Sequence, residues 1–165
     1  MGQAVDETDQ GAAGPLTAYR ALRRDGGLRH DAGQLLAAEK LQSLHNALRG
    51  YRPAGGGGGW KARLGLARRR EEPPQGLYIF GGVGTGKSML MDLFFASAPL
   101  EKKRRVHFHA FMQEVQDRLH AWRQDDRNKD KADPLPVIAA ALAEETWLLC
   151  FDEFHVVNIA DAMIL

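Results

Sequence analysis

Apolar positions recur along this chain with two periods, and each period predicts an element. From Asp31 to Arg49 the residues Ala37, Leu41, Leu44 and Leu48, continued by Tyr51, return every three or four positions, the spacing of one face of an α-helix. Asp31 can cap that helix, with Gln34 three residues on to complete a capping box. A shorter helix is predicted from Pro15 to Arg24, with Pro15 in its first turn and Gly26-Gly27 ending it. Leu77-Tyr78-Ile79-Phe80 is a short unbroken apolar run, suited to a buried strand. Lys87 to Phe95 reads as a buried helix closed by Pro99. Arg104 to His109 alternates around Val106 and Phe108 as a strand does. Ala110 to Gln124 carries Phe111, Val115, Leu119 and Trp122 on one helical face. Asp133-Pro134 opens a helix through Glu145, Trp147 to Phe151 is a second buried strand, and a last helix begins near Val157.

Between the run at 77–80 and the helix at Lys87 lies Gly81-Gly82-Val83-Gly84-Thr85-Gly86-Lys87-Ser88, which fits the pattern G-x-x-x-x-G-K-[ST]. A loop that wraps a triphosphate turns its backbone N–H groups inward, which needs unusual dihedrals and no Cβ in the way. Gly81, Gly82, Gly84 and Gly86 meet that need. Lys87 can reach the β- and γ-phosphates of ATP, and the Ser88 hydroxyl can take one place on Mg²⁺. A helix starting near Gly86 aims its N-terminal dipole at the same anion. The strand before and the helix after are the context this motif requires.

Composition narrows the class. With 44% hydrophobic and 26% charged residues the chain reads as globular. A net charge of +1 gives no global argument for nucleic acid or membrane. The single cysteine, Cys150, rules out a disulfide within the chain. No apolar run approaches the roughly 20 residues of a membrane span, and the polar start MGQAVDETDQ has neither a signal core nor a transit-peptide look. A cytoplasmic location is expected. The expected organisation is a disordered tail over 1–14, a helical segment over 15–52, a linker over 53–74 carrying Gly55–Gly59 and Arg68-Arg69-Arg70, and an ATPase domain over 75–165. The basic triplet reads as solvated charge, and a charged loop is expected over 124–133.

The second strand ends in Asp152-Glu153. Ligands of parallel sheets collect at the carboxyl ends of strands, so Asp152 is placed to hold Mg²⁺ and Glu153 to act as general base on the attacking water. His107, His109, His120 and His155 do not fall at a zinc spacing, and no metal site is expected from them. Asp152-Glu153-Phe154-His155 resembles the D-E-x-H box of nucleic-acid helicases, whose phosphate loops usually open with alanine and place threonine after the lysine, unlike Gly81 and Ser88 here.

The longer blocks GLYIFGGVGTGKSMLMDLFF, RRVHFHAFMQEVQDRLH, DPLPVIAAALAEE and LLCFDEFHVVNIADAMIL, with the opening PLTAYRALRRDGGLRHDAGQLLAAEKLQSLHNAL, resemble the ZapE-type cell-division ATPases of the ATPase-family-gene-one group of AAA+ proteins. The resemblance covers nearly all of residues 15–165. It implies an α/β P-loop fold with a parallel sheet in the order 5-1-4-3-2 and flanking helices, of which strands 1, 2 and 3 would lie in this sequence. On that reading the chain is a fragment ending before the last core strands, the arginine finger and the C-terminal lid, and the run at 77–80 has no neighbour within it. By position, Gly81–Ser88 match the family's phosphate loop and Asp152 and Glu153 its acids. Thr85 stands where a basic residue is usual and His155 where a glutamine is. The aromatic stretch His107–Met112 lies where many AAA+ rings place a substrate-gripping loop, although Phe111 also fits the helix stripe. The family reading implies ATP hydrolysis coupled to protein remodelling, homo-oligomers, and partners at the division ring. Two alternatives stay open: a truncated nucleotide-binding module without turnover, and a nucleic-acid-dependent motor, suggested by Asp152–His155 and by Arg68-Arg69-Arg70.

Overall fold

The computed structural model describes residues 10–52, 72–128 and 133–164. The expected linker, with its glycine run and arginine triplet, lies almost wholly outside them, as do nine residues of the expected tail and the middle of the charged loop. Two compact units are present, one built from residues up to 52 together with 72–101, the other from 102 onward.

The first unit is helical. α1 (Gln10–Arg24) is broken at Gly14, whose φ of 75° is not helical, so its regular part starts at Pro15. That proline has no N–H to satisfy in a first turn. The helix ends where Gly26 takes φ 75° and Gly27 N–H donates to the Leu22 carbonyl at 3.1 Å. α2 (Ala32–Leu48) is capped by Asp31, whose carboxylate accepts from the Gln34 N–H at 2.9 Å. α3 (Lys87–Ser97) packs against both. Tyr19, Ala38, Leu41, Leu48, Leu90 and Phe94 are buried between them.

The buried face of α2 differs from the expected stripe. It is Ala38, Leu41, His45 and Leu48, while Ala37 and Leu44 are half-buried. His45 is fully buried because its ring is satisfied at both nitrogens. Gln42 uses its Oε1 to accept from the Leu16 N–H and its Nε2 to donate to Asn46 Oδ1, so Nε2 also faces His45 Nδ1 as a donor. His45 therefore carries its proton on Nε2 and donates to the Ser97 carbonyl at 3.0 Å. A polar ring with both partners fits a core position that a count of apolar residues passes over.

The run 77–80, expected to be a buried strand, is not one. Leu77, Tyr78 and Phe80 are exposed, and Tyr78 stacks on Phe80 at 6.3 Å between ring centroids. A strand exists by pairing, and the ladder among the described residues joins two other segments.

That ladder lies in the second unit. β1 (Lys103–His107) runs parallel to β2 (Leu148–Asp152), with Arg105 opposite Cys150 and His107 opposite Asp152. This is the neighbour relation expected for strands 2 and 3. α4 (Phe108–Gln124) follows β1 directly, α5 (Leu135–Glu145) precedes β2, and α6 (Ile159–Ile164) follows it. The start of α5 is one residue beyond the expected cap: Pro134 occupies the cap, and Asp133 accepts from the Leu135 N–H at 3.0 Å. Phe108, Phe111, Met112, Val115, Leu119 and Ile138 form the core of this unit. Phe108, Phe111 and Met112 belong to the stretch weighed as a gripping loop; their burial makes it a packing segment, with His109 and Ala110 left exposed. An ion-pair network runs over this core. Glu114 on α4 accepts from Arg104 on β1 and from Arg118, and Arg118 also reaches Glu145 on α5 at 2.7 Å.

Candidate functional site

The sequence names two groups of residues, and the structure describes each inside its own unit. In the first unit, residues 81–88 form a loop that enters α3. Gly84 and Gly86 take φ of 79° and 83°, the left-handed region that costs an L-residue about 1–2 kcal/mol. Gly86 is the N-cap of α3, and its carbonyl accepts the first helical bond from the Leu90 N–H at 3.0 Å. The loop thus turns on glycine and delivers the amino end of an 11-residue helix, whose leading N–H groups have no partners within the helix.

Three side chains brace the loop. The Thr85 hydroxyl donates to the Gly82 carbonyl at 2.9 Å. The Lys87 ammonium folds back and donates to the Gly81 and Gly82 carbonyls at 2.9 and 2.7 Å. The Gln34 side chain, on α2, donates from Nε2 to the Thr85 carbonyl at 3.2 Å. Thr85 therefore serves the loop through its hydroxyl. Ser88 sits exposed on the first turn of α3 and Val83 projects fully at the loop tip. A lysine inside a glycine loop, a helix amino end and a hydroxyl one residue on suit an oxyanion chain with an attendant hard cation.

In the second unit, Asp152 closes β2 and Glu153 follows it. Arg105 on β1 holds the Asp152 carboxylate, with Nη2 and Nε at 2.7 and 2.8 Å from Oδ2. Their side chains point to one face because Arg105 stands two positions before the residue opposite Asp152. Glu153 is exposed and takes φ 53°, the one non-glycine residue with positive φ among the described residues. Packing holds it there. Phe151 meets Phe108 and Phe111 at 5.8 and 5.0 Å, and Phe154 meets Phe108 at 4.5 Å, so both flanks of the Asp152-Glu153 pair rest on the aromatic core. Burial pushes the Cys150 thiol up to about 11, which leaves it neutral and unreactive at physiological pH. No cluster of His, Cys, Asp or Glu suited to a metal is present among the described residues.

The structure brings Gly81 through Ser88 together in one loop and places Asp152 beside Glu153 at one strand end. Gln34 and Arg105 were not singled out for the site by sequence. Gln34 is read from sequence as a capping residue, and no local pattern points to a carbonyl 51 positions away. Arg105 has a signal in retrospect, a basic residue on the strand that pairs with the acidic one.

The family model for AFG1-like ATPases matches residues 13–165. Cell division protein ZapE of Escherichia coli (strain K12) is 41% identical over 157 residues, covering 92% of this chain and 40% of the relative. Lactation elevated protein 1 homolog B of Danio rerio is 52% identical over 101 residues, covering 58% of this chain and 20% of the relative. The chain therefore spans well under half the length of either relative. No solved structure matches.

Proposed function

The chain belongs to the AFG1-like ATPase family, and on that premise we propose that it binds ATP with Mg²⁺ and carries the phosphate-binding and acidic elements of an ATP-hydrolysing machine. The observation that carries this reading is the loop itself: Gly86 in the left-handed region at the head of α3, with Lys87 anchored among the loop carbonyls. A bound triphosphate offers Lys87 stronger acceptors than its own backbone, because hydrogen bonds between ions exceed those to neutral carbonyls. The N–H groups of the loop and of the first turn of α3 bind the remaining oxygens.

Ser88 in the first unit and Asp152 in the second are each a candidate ligand for Mg²⁺. When bound, that ion neutralises charge on the β- and γ-phosphoryl oxygens. Glu153 orients and deprotonates the attacking water as general base. Its exposed carboxylate and its left-handed backbone, strained and held by the flanking phenylalanines, are what a side chain presented at a strand end requires. Arg105 holds Asp152 in this structure, and a cation held by Asp152 would supply the counter-charge in its place.

The relatives' names supply the wider context. One is named as a cell division protein, so the proposed role is hydrolysis coupled to remodelling of protein partners, with the division ring as the candidate partner and self-association as the working state. Among the described residues no helix is long and apolar enough to cross a membrane. The cytoplasm remains the proposed location, and the organisation into a tail, helical segment, linker and ATPase domain a proposal.

Turnover tests the chemistry. Glu153→Gln should abolish ATP hydrolysis, by about 10²-fold or more, while sparing Mg·ATP binding. Equal turnover in the variant and the parent would remove Glu153 from the mechanism. Binding with no turnover in the parent would favour the reading of a nucleotide-binding module, and stimulation by DNA or RNA would favour a nucleic-acid motor.

A further inference from the structure

Gln34 sits in the third helical position of α2, where a capping-box glutamine reaches back to the cap residue's N–H. Here only half of that box forms. The Gln34 N–H donates to Asp31 at 2.9 Å, but its side chain turns away and spans to the phosphate loop, donating from Nε2 to the Thr85 carbonyl at 3.2 Å. The other end of the same amide is held as well: the hydroxyl of Tyr19, a fully buried residue of α1, donates to Gln34 Oε1 at 3.4 Å. The orientation of the amide follows from chemistry, since the Thr85 carbonyl can only accept and so selects the NH₂ end. The chain of contacts is Tyr19, Gln34, Thr85, running from the core of the first unit to the loop.

The Thr85–Gly86 peptide is trans, as are all described peptide bonds. In a trans peptide the C=O and the following N–H point in opposite directions in one plane. A donor that fixes the Thr85 carbonyl on the α2 side therefore fixes the Gly86 N–H on the other. The fit is close: a Cβ added at Gly86 would lie 3.1 Å from Gln34 Nε2. We infer that Gln34 is a positioning residue of the nucleotide site, whose side-chain amide pins the Thr85 carbonyl outward and so aims the Gly86 N–H into the phosphate-binding concavity. The inference rests on the nucleotide reading of this loop.

Gln34 touches backbone and not ligand, so it acts by preorganisation. Without it the Thr85–Gly86 peptide can rotate, and glycine offers little resistance to that rotation. Binding a phosphate must then order the peptide first. Gln34→Met keeps the side-chain length and removes the donor. Gln34→Glu keeps the shape and sets a carboxylate oxygen against the carbonyl.

The test measures Mg·ATP affinity of the whole chain for the parent, Gln34→Met, Gln34→Glu, Tyr19→Phe and Lys87→Ala, beside melting without nucleotide and amide exchange over residues 82–88. Gln34→Met is expected to weaken binding by about 3–10-fold, one neutral hydrogen bond's worth. Gln34→Glu should weaken it further, and Tyr19→Phe by a smaller factor. Exchange over 82–88 should speed up in the Gln34 variants without a matching change across α1. Parental affinity and parental exchange in a folded Gln34→Met protein would overturn the inference. So would a lowered melting temperature with unchanged affinity, which assigns Gln34 to helix packing alone. If Gln34→Met does not fold, Tyr19→Phe decides by the same two readouts. Absence of Lys87-dependent binding in the parent would sink the nucleotide reading, while exchange without nucleotide would still decide whether Gln34 holds the loop.

Discussion

The phosphate loop and the acidic strand end both turn through the left-handed region, and they hold it by opposite means. In the loop the turn falls on glycines, Gly84 at φ 79° and Gly86 at φ 83°; at the strand end it falls on Glu153 at φ 53°. A loop that offers backbone N–H groups has no use for a side chain at its turn, so glycine serves and the conformation is nearly free. A strand end that offers a carboxylate must keep the side chain and bear the strain, about 1–2 kcal/mol. The loop is accordingly braced by light polar contacts from Thr85, Lys87 and Gln34. The acidic end is pinned by Phe151 and Phe154 against Phe108, and by Arg105 on Asp152. A site made of presented backbone can be held by hydrogen bonds; one made of a presented side chain on a strained backbone needs packing under it.

The largest effect should come from removing that packing. Phe108 is 1% exposed and touches both Phe151 and Phe154. Phe108→Ala is expected to lose about 3–5 kcal/mol in denaturant unfolding. A loss below about 1 kcal/mol would break the claim that aromatic packing holds the acidic end.

Exchanging a turn residue on each side sharpens the comparison. Gly86→Ala places a Cβ at positive φ and 3.1 Å from Gln34 Nε2, and should cost about 1–2 kcal/mol with weakened nucleotide binding. Glu153→Gly should leave stability unchanged or slightly raised, since relief of strain offsets the entropy that glycine adds to the unfolded chain, while turnover is lost. A destabilised Glu153→Gly protein would show that the strained conformation is no burden on the fold.

A smaller effect is the acid sensitivity of the second unit. Hydrogen bonding from Arg104 holds the Glu114 carboxyl below its ordinary value. A carboxyl with a depressed folded value adds stability above its unfolded value, about 4.3, and loses that contribution as pH falls through the folded one. Urea midpoints should fall in this acid window, and Glu114→Gln should flatten the dependence. The smallest effect is expected from Arg105→Ala. Its pair with Asp152 is a partly exposed ion pair, worth about 0.2–1 kcal/mol, so melting should move little.

Much of this was legible in the sequence because it is local. The caps at Asp31 and near Asp133, the helix ends at Gly26 and Pro99, the glycine loop and the acidic strand end are all written within a few residues of one another. What the sequence leaves open depends on distant partners. His45 enters the core because the Ser97 carbonyl meets it, which periodicity of apolar residues cannot report. Leu77 to Phe80 reads as a strand by composition, yet a strand is a property of a pair. His107 to Met112 reads as loop or core with equal ease until Phe108, Phe111 and Met112 are seen packed beneath β2. Gln34 shows the same limit in the site: its capping role is local and visible, its bond to Thr85 is neither.

The most direct measurement of the central claim is calorimetric titration of Mg·ATP into the parent chain and into Lys87→Ala. The account predicts saturable binding to the parent, weakened about 10–100-fold when the ammonium is removed, the range of a charge-assisted hydrogen bond. Binding of equal strength to both proteins would place the nucleotide elsewhere, and no binding to the parent would contradict the assignment of residues 81–88 as a working phosphate loop.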